Sequence, residues 1–512
     1  MAQARAAPDF ACVTTWRDTW AAIQQALGTQ DTHSSASSLS SSCADEDAVA
    51  AVAPWTPWAP DAILNTARHL FFQARCGIFV MVGPKGVEAF VPFANAQYEN
   101  WWWPRVRLLG PGGEALPTVE AYAAAKGKAL GEPPERMLPL TRWWLNGGIA
   151  CNVLPADGSV WGTSFCQDLW DMLQEAARGA AAAGSPLPRA CLFLNKRDFP
   201  VLRADGRDPY VRFVGDPAPD HWVLERYAAH APVFSFYVGP LNLDVAMPTT
   251  EDWRAAREEQ GHARAWSTLR AAHPLATRAP VAVFRGSATS PARVALVQAA
   301  QGSALVDAAI TGWNAYRDRV TLHQGGDGDP EPQVHVTFMA EYARRPRAPF
   351  MPLSVQAVRF RYIVYCDGHC AAGRYGTLMH TGCVILRVPS AQAGDCGHLW
   401  ALHGAVGVDV DDPPAAWLVA DHVVLRSTQG ADLAECVARL NAMPLDLLQA
   451  VADNAAARAP TVASVASFWQ GWVRNLACAR LVAMPAGAPT DKAWWSHADP
   501  KYAALPLRSS KK

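Results

Sequence analysis

The stretch VAVFRGSATSPARVALVQAA, residues 281–300, predicts a strand, a tight turn and a helix. The apolar run at 281–284 is typical of a buried strand, and a short polar loop separates it from Ser290-Pro291. Serine is a favoured N-cap and proline fits the first helical position, so we expect the helix to begin there. Alternation of strands and helices in this manner indicates an α/β domain.

The turn between this strand and helix has the features of an anion site. Arg293 falls in the first helical turn, where the partial positive charge of the helix N-terminus disfavours a cation. An anion shared between the guanidinium and the free backbone N–H groups would explain that position. Arg285 flanks the loop on its other side, Gly286 allows close backbone approach, and Ser287 offers a hydroxyl. A partner carboxylate, or exposure to water, explains Arg293 at least as well.

A second stretch, FRYIVYCDGHCAAGRYG at 360–376, repeats the plan. An apolar strand ends at Gly368, and Arg374 falls early in the next predicted helix. The strand CVILRV at 383–388 follows, which implies a parallel pair with a right-handed crossover. Ligands of open parallel sheets bind beyond the carboxyl ends of the strands, so two such turns suit a diphosphate. Tight packing of small residues is the alternative explanation.

Strands alternate with helices in both halves of the 512-residue chain, which predicts two α/β domains with a cleft between them. We expect helices near 60–75, 164–184, 431–456 and 461–485, and buried strands at CGIFVMV (76–82) and CLFLN (191–195). Ser164 and Gly184 are the expected ends of the second helix. The predicted units are a flexible segment with a disordered Ser-rich linker at 1–50, domains at 51–255 and 256–490, and a tail at 491–512.

Composition argues against several classes of protein. Lys and Arg number 45 against 46 Asp and Glu, a net charge of −1, so no nucleic-acid partner is expected. No apolar run reaches about 18 residues, so no membrane span is expected, and the N-terminus lacks the apolar stretch of a signal peptide. The 12 cysteines form no Cys-x-x-Cys pair, which favours free buried thiols over zinc or a disulfide framework.

A third stretch, LFLNKRDFPVLR at 192–203, places Asp198 just after a buried strand. Pro200 biases Phe199 toward extended geometry, which restricts the direction of the aspartate. A carboxylate fixed at a cleft can deprotonate a hydroxyl nucleophile. An ion pair within the Lys-Arg-Asp run is the other interpretation, and the spacing alone favours it.

Together these stretches resemble the capsule-associated and protein O-glucosyltransferase family of inverting glycosyltransferases. The resemblance covers roughly residues 190–480. The matching pieces occur in the family's order: NKRDFP (195–200), PVFSF (232–236), AMPTTEDW (246–253), AVFRGSATSPAR (282–293), LVDA (305–308), FRYIVYCDGHCAAGR (360–374), HTGCVILRV (380–388), HLW (398–400) and DHVVLRSTQGADL (421–433).

The resemblance implies a GT-B architecture, with two Rossmann-like domains facing a cleft and a UDP-sugar held mainly by the C-terminal one. It implies inverting transfer of a sugar, glucose or xylose, to a hydroxyl of a protein or glycan acceptor, without a metal or other cofactor. Arginines and helix dipoles would then stabilise the departing UDP. Asp198 would be the catalytic base. The candidate contacts to the UDP-sugar are Arg285, Gly286, Ser287, Arg293, His369, Cys370, Ala371, Ala372, Gly373 and Arg374.

The chain departs from the family at several points. Ala372 stands where the family usually has a serine, the first 160 residues match poorly, and the family's secretory signal and disulfide pairs are missing. A catalytically inactive relative that binds a nucleotide sugar or glycan is the alternative. A metal-dependent transferase using Asp409-x-Asp411 or Asp327-x-Asp329 is a weaker one. The missing signal points to the cytoplasm and the family's habit to the secretory lumen, so the compartment stays open.

Overall fold

A computed structural model describes residues 10, 12–27, 60–74, 76–94, 106–143, 163–195, 200–202, 231–238, 244–261, 265–313, 318–323, 333–338, 345–368, 371–389, 397–398 and 405–478. The Ser-rich linker and the predicted tail at 491–512 lie outside these residues, so their predictions stay untested.

The strands, in chain order, are β1 (Cys76–Gly83), β2 (Gly86–Ala94), β3 (Val106–Leu109), β4 (Ala115–Leu116), β5 (Ala190–Leu194), β6 (Val233–Ser235), β7 (Tyr237–Val238), β8 (Val245–Ala246), β9 (Ala279–Ser287), β10 (Val306–Gly312), β11 (Asp318–His323), β12 (Gln333–Phe338), β13 (Phe360–Tyr365), β14 (Val384–Arg387), β15 (Gly397–His398), β16 (Gly407–Val408) and β17 (His422–Val424).

The helices are α1 (Trp16–Leu27), α2 (Pro60–Arg68), α3 (Val119–Leu130), α4 (Pro134–Trp143), α5 (Thr163–Ala182), α6 (Thr250–Gly261), α7 (Trp266–Ala272), α8 (Pro291–Ala299), α9 (Leu353–Arg359), α10 (Tyr375–His380), α11 (Pro414–Trp417), α12 (Leu433–Asn441), α13 (Leu445–Arg458) and α14 (Val462–Cys478). A π-helical turn (His69–Ala74) continues α2, and a 3-10 turn (Leu275–Thr277) precedes β9.

The first large sheet has the order β2-β1-β5-β6-β8 and is mixed. β5, β6 and β8 run parallel, whereas β1 pairs antiparallel with both β2 and β5. Only Pro84 and Lys85 separate β1 from β2, and Gly86 takes φ +112°. A connection of two residues joins antiparallel strands, so this edge of the sheet departs from the parallel arrangement of a Rossmann-like domain.

The second large sheet is parallel throughout, in the order β10-β9-β13-β14-β17-β16. The predicted parallel pair with an intervening helix is confirmed by β13, α10 and β14. β9 and β13 are direct neighbours, so their carboxyl ends lie side by side at one edge of the sheet. Both faces are covered by apolar side chains, as expected of a parallel sheet.

Two elements that lie within the predicted second domain, α14 and β12, contact elements of the predicted first domain. α14 packs against α5 and β5, and its buried Trp469 lies 5.2 Å, ring centre to ring centre, from Phe234 in β6. β12 pairs parallel with β3, in a smaller sheet of order β11-β12-β3-β4. The two large sheets nevertheless fall on opposite sides of the predicted boundary at 255/256.

Most of the predicted elements form where the sequence indicates. The strands β1 and β5 and the helix α5 are confirmed. Gly184, with φ +73°, follows the end of α5 as predicted, whereas the helix begins at Thr163, one residue before the predicted cap. The helix predicted near 431–456 is two helices, because Pro444 interrupts it and precedes α13. None of the helices in the described part combines the length and apolar character that a membrane crossing requires.

Candidate functional site

A cleft of about 650 Å³ lies at the carboxyl ends of β9 and β13. The turns at 285–289 and 371–374 form one wall. Tyr237 and Glu251, which belong to β7 and α6, line the cleft near the second turn. Phe350, 80% exposed, lies at its edge. The two turns that the sequence singled out therefore lie together in one cleft.

The first turn is built as its sequence indicates. Ser290 has extended backbone geometry (φ −147°, ψ 154°), and its Oγ accepts a hydrogen bond from the backbone N–H of Arg293 at 3.4 Å. Pro291 occupies the first turn of α8. The Ser290 hydroxyl also donates to the carbonyl oxygen of Asp367 at 2.9 Å. The N-cap of α8 therefore binds the turn after β13 as well as its own helix.

Arg293 braces the two turns against each other. Its Nε and Nη2 donate to the carbonyl oxygen of Cys366 at 3.1 and 2.9 Å. Its Nη1 donates to the Ser287 carbonyl at 3.1 Å and to Thr289 Oγ1 at 2.7 Å. The side chain is neither paired with a carboxylate among the described residues nor exposed to water, being 7% exposed. Its acceptors are backbone carbonyls and the Thr289 hydroxyl, and none of these groups carries a negative charge.

Arg374 supplies a second positive charge beside the first. Its Nη1 donates to the carbonyl oxygen of Arg285 at 2.8 Å. Its guanidinium carbon lies 5.8 Å from the ring centre of Phe284, and that of Arg293 lies 6.0 Å from the same centre. Burial, and then the charge of Arg293, lower the pKa of Arg374 to about 10. Within the described part of the chain no carboxylate pairs with Arg374, so the cleft wall favours an anion.

Arg285 is held differently from the other two arginines. Its Nη2 forms an ion pair with Asp307 Oδ1 at 2.7 Å, and its Nη1 donates to the carbonyl oxygens of Asp307 and Phe284 at 2.7 and 3.0 Å. Asp307 is in β10, the neighbouring strand. The Arg285 side chain is therefore neutralised by a carboxylate, although the residue lines the cleft.

Two glycines in the turns permit close approach to charged or polar groups. A Cβ atom at Gly286 would lie 2.8 Å from Cζ of Phe284 and 3.2 Å from Nη2 of Arg374. A Cβ at Gly373 would lie 3.0 Å from the Tyr237 hydroxyl oxygen. Ala371 and Ala372 complete this turn and also line the cleft. Small residues are therefore needed here to bring the backbone near the arginines and Tyr237.

The carboxyl group of Asp367 lies below the second turn. Burial raises its pKa, while a hydrogen bond from the Tyr365 hydroxyl and the charges of Arg387 and Arg293 oppose that effect. Oδ1 is buried without a hydrogen-bond partner among the described residues. Burial therefore makes the carboxylate form of Asp367 less favoured than in an exposed aspartate.

Two buried thiols of the parallel sheet are not activated: Cys366 directly after β13, beside the cleft, and Cys383 directly before β14, at the opposite edge of the sheet. Seven cysteines of the described residues form no disulfide, and all of these but Cys12 are buried. Burial raises the pKa of Cys366 to about 11, and it raises that of Cys383 as well. Both are protonated thiols at neutral pH, and thiols are poor nucleophiles and metal ligands in that form.

The acidic sequence Asp409-x-Asp411 is engaged by arginines. Asp409 Oδ1 pairs with Arg426 Nη2 at 2.7 Å, and Asp411 pairs with both Arg426 and Arg439. The hydrogen bond from Arg426 lowers the pKa of Asp409. No group of three potential metal ligands occurs among the described residues. The second acidic sequence, Asp327-x-Asp329, lies outside them.

Three of the predicted site residues, Asp198, His369 and Cys370, lie outside the described residues. The structure adds Tyr237, Glu251 and Phe350 to the cleft, which the sequence reasoning did not assign. Two of these residues could have been found from the sequence. Glu251 lies in AMPTTEDW, and Tyr237 directly follows PVFSF, both stretches of the glycosyltransferase resemblance.

Comparison with known proteins finds relatives in large viral proteins. The chain is 28% identical over 345 residues to an uncharacterized protein of Invertebrate iridescent virus 3, covering 64% of this chain and 29% of that protein. It is 29% identical over 357 residues to an uncharacterized protein of Frog virus 3 (isolate Goorha), covering 66% and 34%. It is 24% identical over 376 residues to an uncharacterized protein of Invertebrate iridescent virus 6, covering 64% and 30%.

The chain thus spans about a third of the length of the curated relatives it matches. No protein-family profile matches the sequence.

Proposed function

We propose that this protein is an inverting, metal-independent glycosyltransferase that takes a sugar from UDP. The observation that carries the proposal is the pair Arg293 and Arg374. Both guanidinium groups lie over the ring of Phe284, in a cleft at the carboxyl ends of two parallel strands, and neither pairs with a carboxylate among the described residues. A diphosphate is the ligand class that best compensates two adjacent buried charges.

In this proposal Arg374 and Arg293 contribute to UDP binding in different ways. Among the described residues Arg374 donates one hydrogen bond, to the Arg285 carbonyl, so its other N–H groups would be offered to phosphate oxygens. Arg293 uses Nε, Nη1 and Nη2 on protein acceptors, so it contributes mainly charge and the shape of the turn. The first turn of α8 adds backbone N–H groups and the positive end of a helix dipole.

The fold is compatible with the GT-B architecture in the elements that matter for a donor cleft. The donor side would be the six-stranded parallel sheet, which carries both arginine turns. Tyr237 and Glu251, which lie near Gly373, would face the sugar. α14, at the end of the described residues, packs on the first sheet and so links the two halves.

In the proposed reaction the acceptor hydroxyl attacks the anomeric carbon from the face opposite UDP. The new C–O bond forms as the bond to the phosphate oxygen breaks, and UDP departs with that electron pair. Asp198 would take the hydroxyl proton, an assignment that rests on the sequence resemblance. The arginine pair would stabilise the charge that grows on the diphosphate.

The test is UDP release from a panel of UDP-sugars with EDTA present, for wild type, Asp198→Asn and Arg374→Ala. We expect slow hydrolysis of one donor by wild type, strong loss in both variants, and no loss in the control Asp409→Asn. Sensitivity to EDTA or to Asp409→Asn would support a metal-dependent transferase instead. UDP binding by calorimetry without turnover of any donor, even with acceptor glycans, would support the inactive relative. No UDP binding would overturn the proposal.

A further inference from the structure

The cleft that holds the two arginines also contains a carboxylate. Among the described residues that line it, Glu251, in the first turn of α6, is the only acidic one. A Cβ atom at Gly373 would lie 3.3 Å from both Cδ and Oε2 of Glu251, and 3.0 Å from the Tyr237 hydroxyl oxygen. The carboxylate and the phenol therefore meet at Gly373, one residue before Arg374.

The carboxylate of Glu251 is not paired with a cation in the described part of the chain. Its Oε2 accepts a hydrogen bond from the Thr250 hydroxyl at 3.3 Å, and the residue is exposed. The two oxygens of a carboxylate offer about four acceptor sites. Most of the acceptor capacity of Glu251 is therefore left for donors that enter the cleft.

The order of the strands gives the cleft a direction. β9 lies between β10 and β13. Phe350 lies on the side of β10, because the nearby Ala348 N–H donates to the carbonyl oxygen of Ile310 at 2.9 Å, whereas Gly373 follows β13. A UDP-sugar bound to the arginines would thus have an aromatic ring on one side and Glu251 on the other. Aromatic rings stack on nucleobases and carboxylates accept from hydroxyls, so the sugar would face Glu251.

We propose that Glu251 selects the donor by charge, accepting hydrogen bonds from the hydroxyls of a neutral sugar and repelling a sugar that carries a carboxylate. This inference rests on the proposed function, since it takes the ligand to be a UDP-sugar. A hydroxyl that donates to an ionised acceptor makes a strong hydrogen bond. A uronate would instead set two negative charges against each other with no donor between them.

The arginines alone would give the opposite preference. The guanidinium groups of Arg293 and Arg374 attract negative charge, so without Glu251 the cleft would favour the donor with the additional carboxylate. UDP-glucose and UDP-glucuronate form the decisive pair, because they differ only in a hydroxymethyl or a carboxylate at C6. Their relative affinity reports the charge that the sugar meets.

The test is titration calorimetry of UDP, UDP-glucose and UDP-glucuronate with wild type, Glu251→Gln and Glu251→Lys. The glutamine keeps the shape and removes the charge, and the lysine reverses it. The matched control is Glu258→Gln, which removes a carboxylate that is exposed on the same helix and does not line the cleft. Binding of UDP itself shows in each variant that the diphosphate site is intact.

We expect wild type to bind UDP-glucose at least about tenfold more tightly than UDP-glucuronate. This ratio should fall at least about fivefold in Glu251→Gln and reverse in Glu251→Lys, and the control should keep the wild-type ratio. The affinity for UDP should change by no more than roughly threefold in Glu251→Gln, because the lost charge acts on the diphosphate only across the cleft.

The ratio separates this inference from the proposed function. If wild type does not bind UDP, the proposed function fails and this inference fails with it. If wild type binds UDP but shows no preference for UDP-glucose, or keeps that preference unchanged in Glu251→Gln, the inference alone is overturned. Loss of UDP binding in Glu251→Lys would indicate a damaged cleft, and the ratio in Glu251→Gln then decides.

Discussion

Arg374 donates a hydrogen bond to the backbone carbonyl of Arg285 across 2.8 Å, and this bond joins the turn after β13 to the end of β9. The two residues are 89 positions apart in the chain. The bond sets the guanidinium of Arg374 over Phe284 and beside Arg293. The backbone carbonyl of Arg285 therefore positions the charged side chain of Arg374. The side chain of Arg285 forms an ion pair with Asp307 instead.

Replacing Arg374 should weaken UDP binding while leaving the fold intact. Arg374→Ala loses one hydrogen bond to protein and all its charged bonds to phosphate. A hydrogen bond to a charged group contributes about 1.5–3 kcal/mol, so we expect UDP affinity to fall roughly ten- to a hundredfold. Titration calorimetry measures the affinity, and urea unfolding should show a smaller loss of stability than in Arg293→Ala, because Arg374 donates one hydrogen bond to the described residues and Arg293 donates four.

Arg374→Lys is the informative companion variant. It keeps the charge and loses the planar fork, so we expect an affinity between those of wild type and the alanine variant. Wild-type UDP affinity in Arg374→Ala would show that the cleft does not hold the diphosphate there.

Replacing Arg293 should mainly lower the stability of the protein. Arg293→Ala would take the guanidinium donor from the Cys366 carbonyl, from the Thr289 hydroxyl and from the Ser287 carbonyl, which keeps a hydrogen bond from the Thr289 N–H. Each lost partner costs about 1–3 kcal/mol, with partial relief by relaxation, so we expect about 2–4 kcal/mol of lost unfolding free energy. Urea unfolding measures it.

Arg293→Lys should not restore stability, because one ammonium does not reach Cys366 and Ser287 together in the geometry of the guanidinium. Equal stability of wild type and Arg293→Ala would contradict the bracing role. A loss of UDP affinity in Arg293→Lys larger than in Arg374→Lys would contradict the division of work between them.

The strand, turn and helix at 281–300 were predictable because their signals are local. A buried apolar run, a serine cap and a proline at the helix start lie within a few residues of each other, and the observed β9 and α8 follow them. The hairpin of β1 and β2 had a local signal as well, the short Gly-Pro-Lys-Gly connection, which the sequence interpretation did not use.

The roles of the three arginines could not be predicted, because they depend on partners far along the chain. Arg285 meets Asp307, 22 residues away, and Arg293 meets the carbonyl of Cys366, 73 residues away. No short sequence motif distinguishes an arginine that hydrogen-bonds to backbone carbonyls from one that forms an ion pair or one that binds a ligand. The pairing of β12 with β3 is of the same kind, since it joins segments more than 200 residues apart.

A side chain at position 286 should weaken anion binding in the cleft. In Gly286→Ala the new methyl group would press on the ring of Phe284 and on Nη2 of Arg374. Phe284 and Arg374 must then shift, and we expect UDP affinity to fall at least about fivefold, roughly 1 kcal/mol. Calorimetry measures this. Gly471→Ala is the control, because a Cβ there meets nothing within 4 Å, and its UDP affinity should equal that of wild type.

Asp244 should make the protein more stable as the solution is made mildly acidic. Burial, opposed by the bonds from Ser235, Val201 and Leu202, raises its pKa from 3.8 to about 6. Between these two values the folded chain holds a proton that the unfolded chain has lost, so this group's contribution to stability grows as the pH falls through 6. From pH 7 to pH 4.5 the gain is about 2 kcal/mol.

Urea unfolding of wild type and Asp244→Asn at both pH values isolates that gain, because every other titrating group is common to the two proteins. The difference in unfolding free energy, wild type minus variant, should be larger at pH 4.5 than at pH 7 by about 2 kcal/mol. The opposite sign would mean that Asp244 has a lowered pKa and is bound as a strongly stabilised carboxylate. An unchanged difference would mean that the group titrates alike in the folded and unfolded chain, which its burial by β6 and β8 argues against.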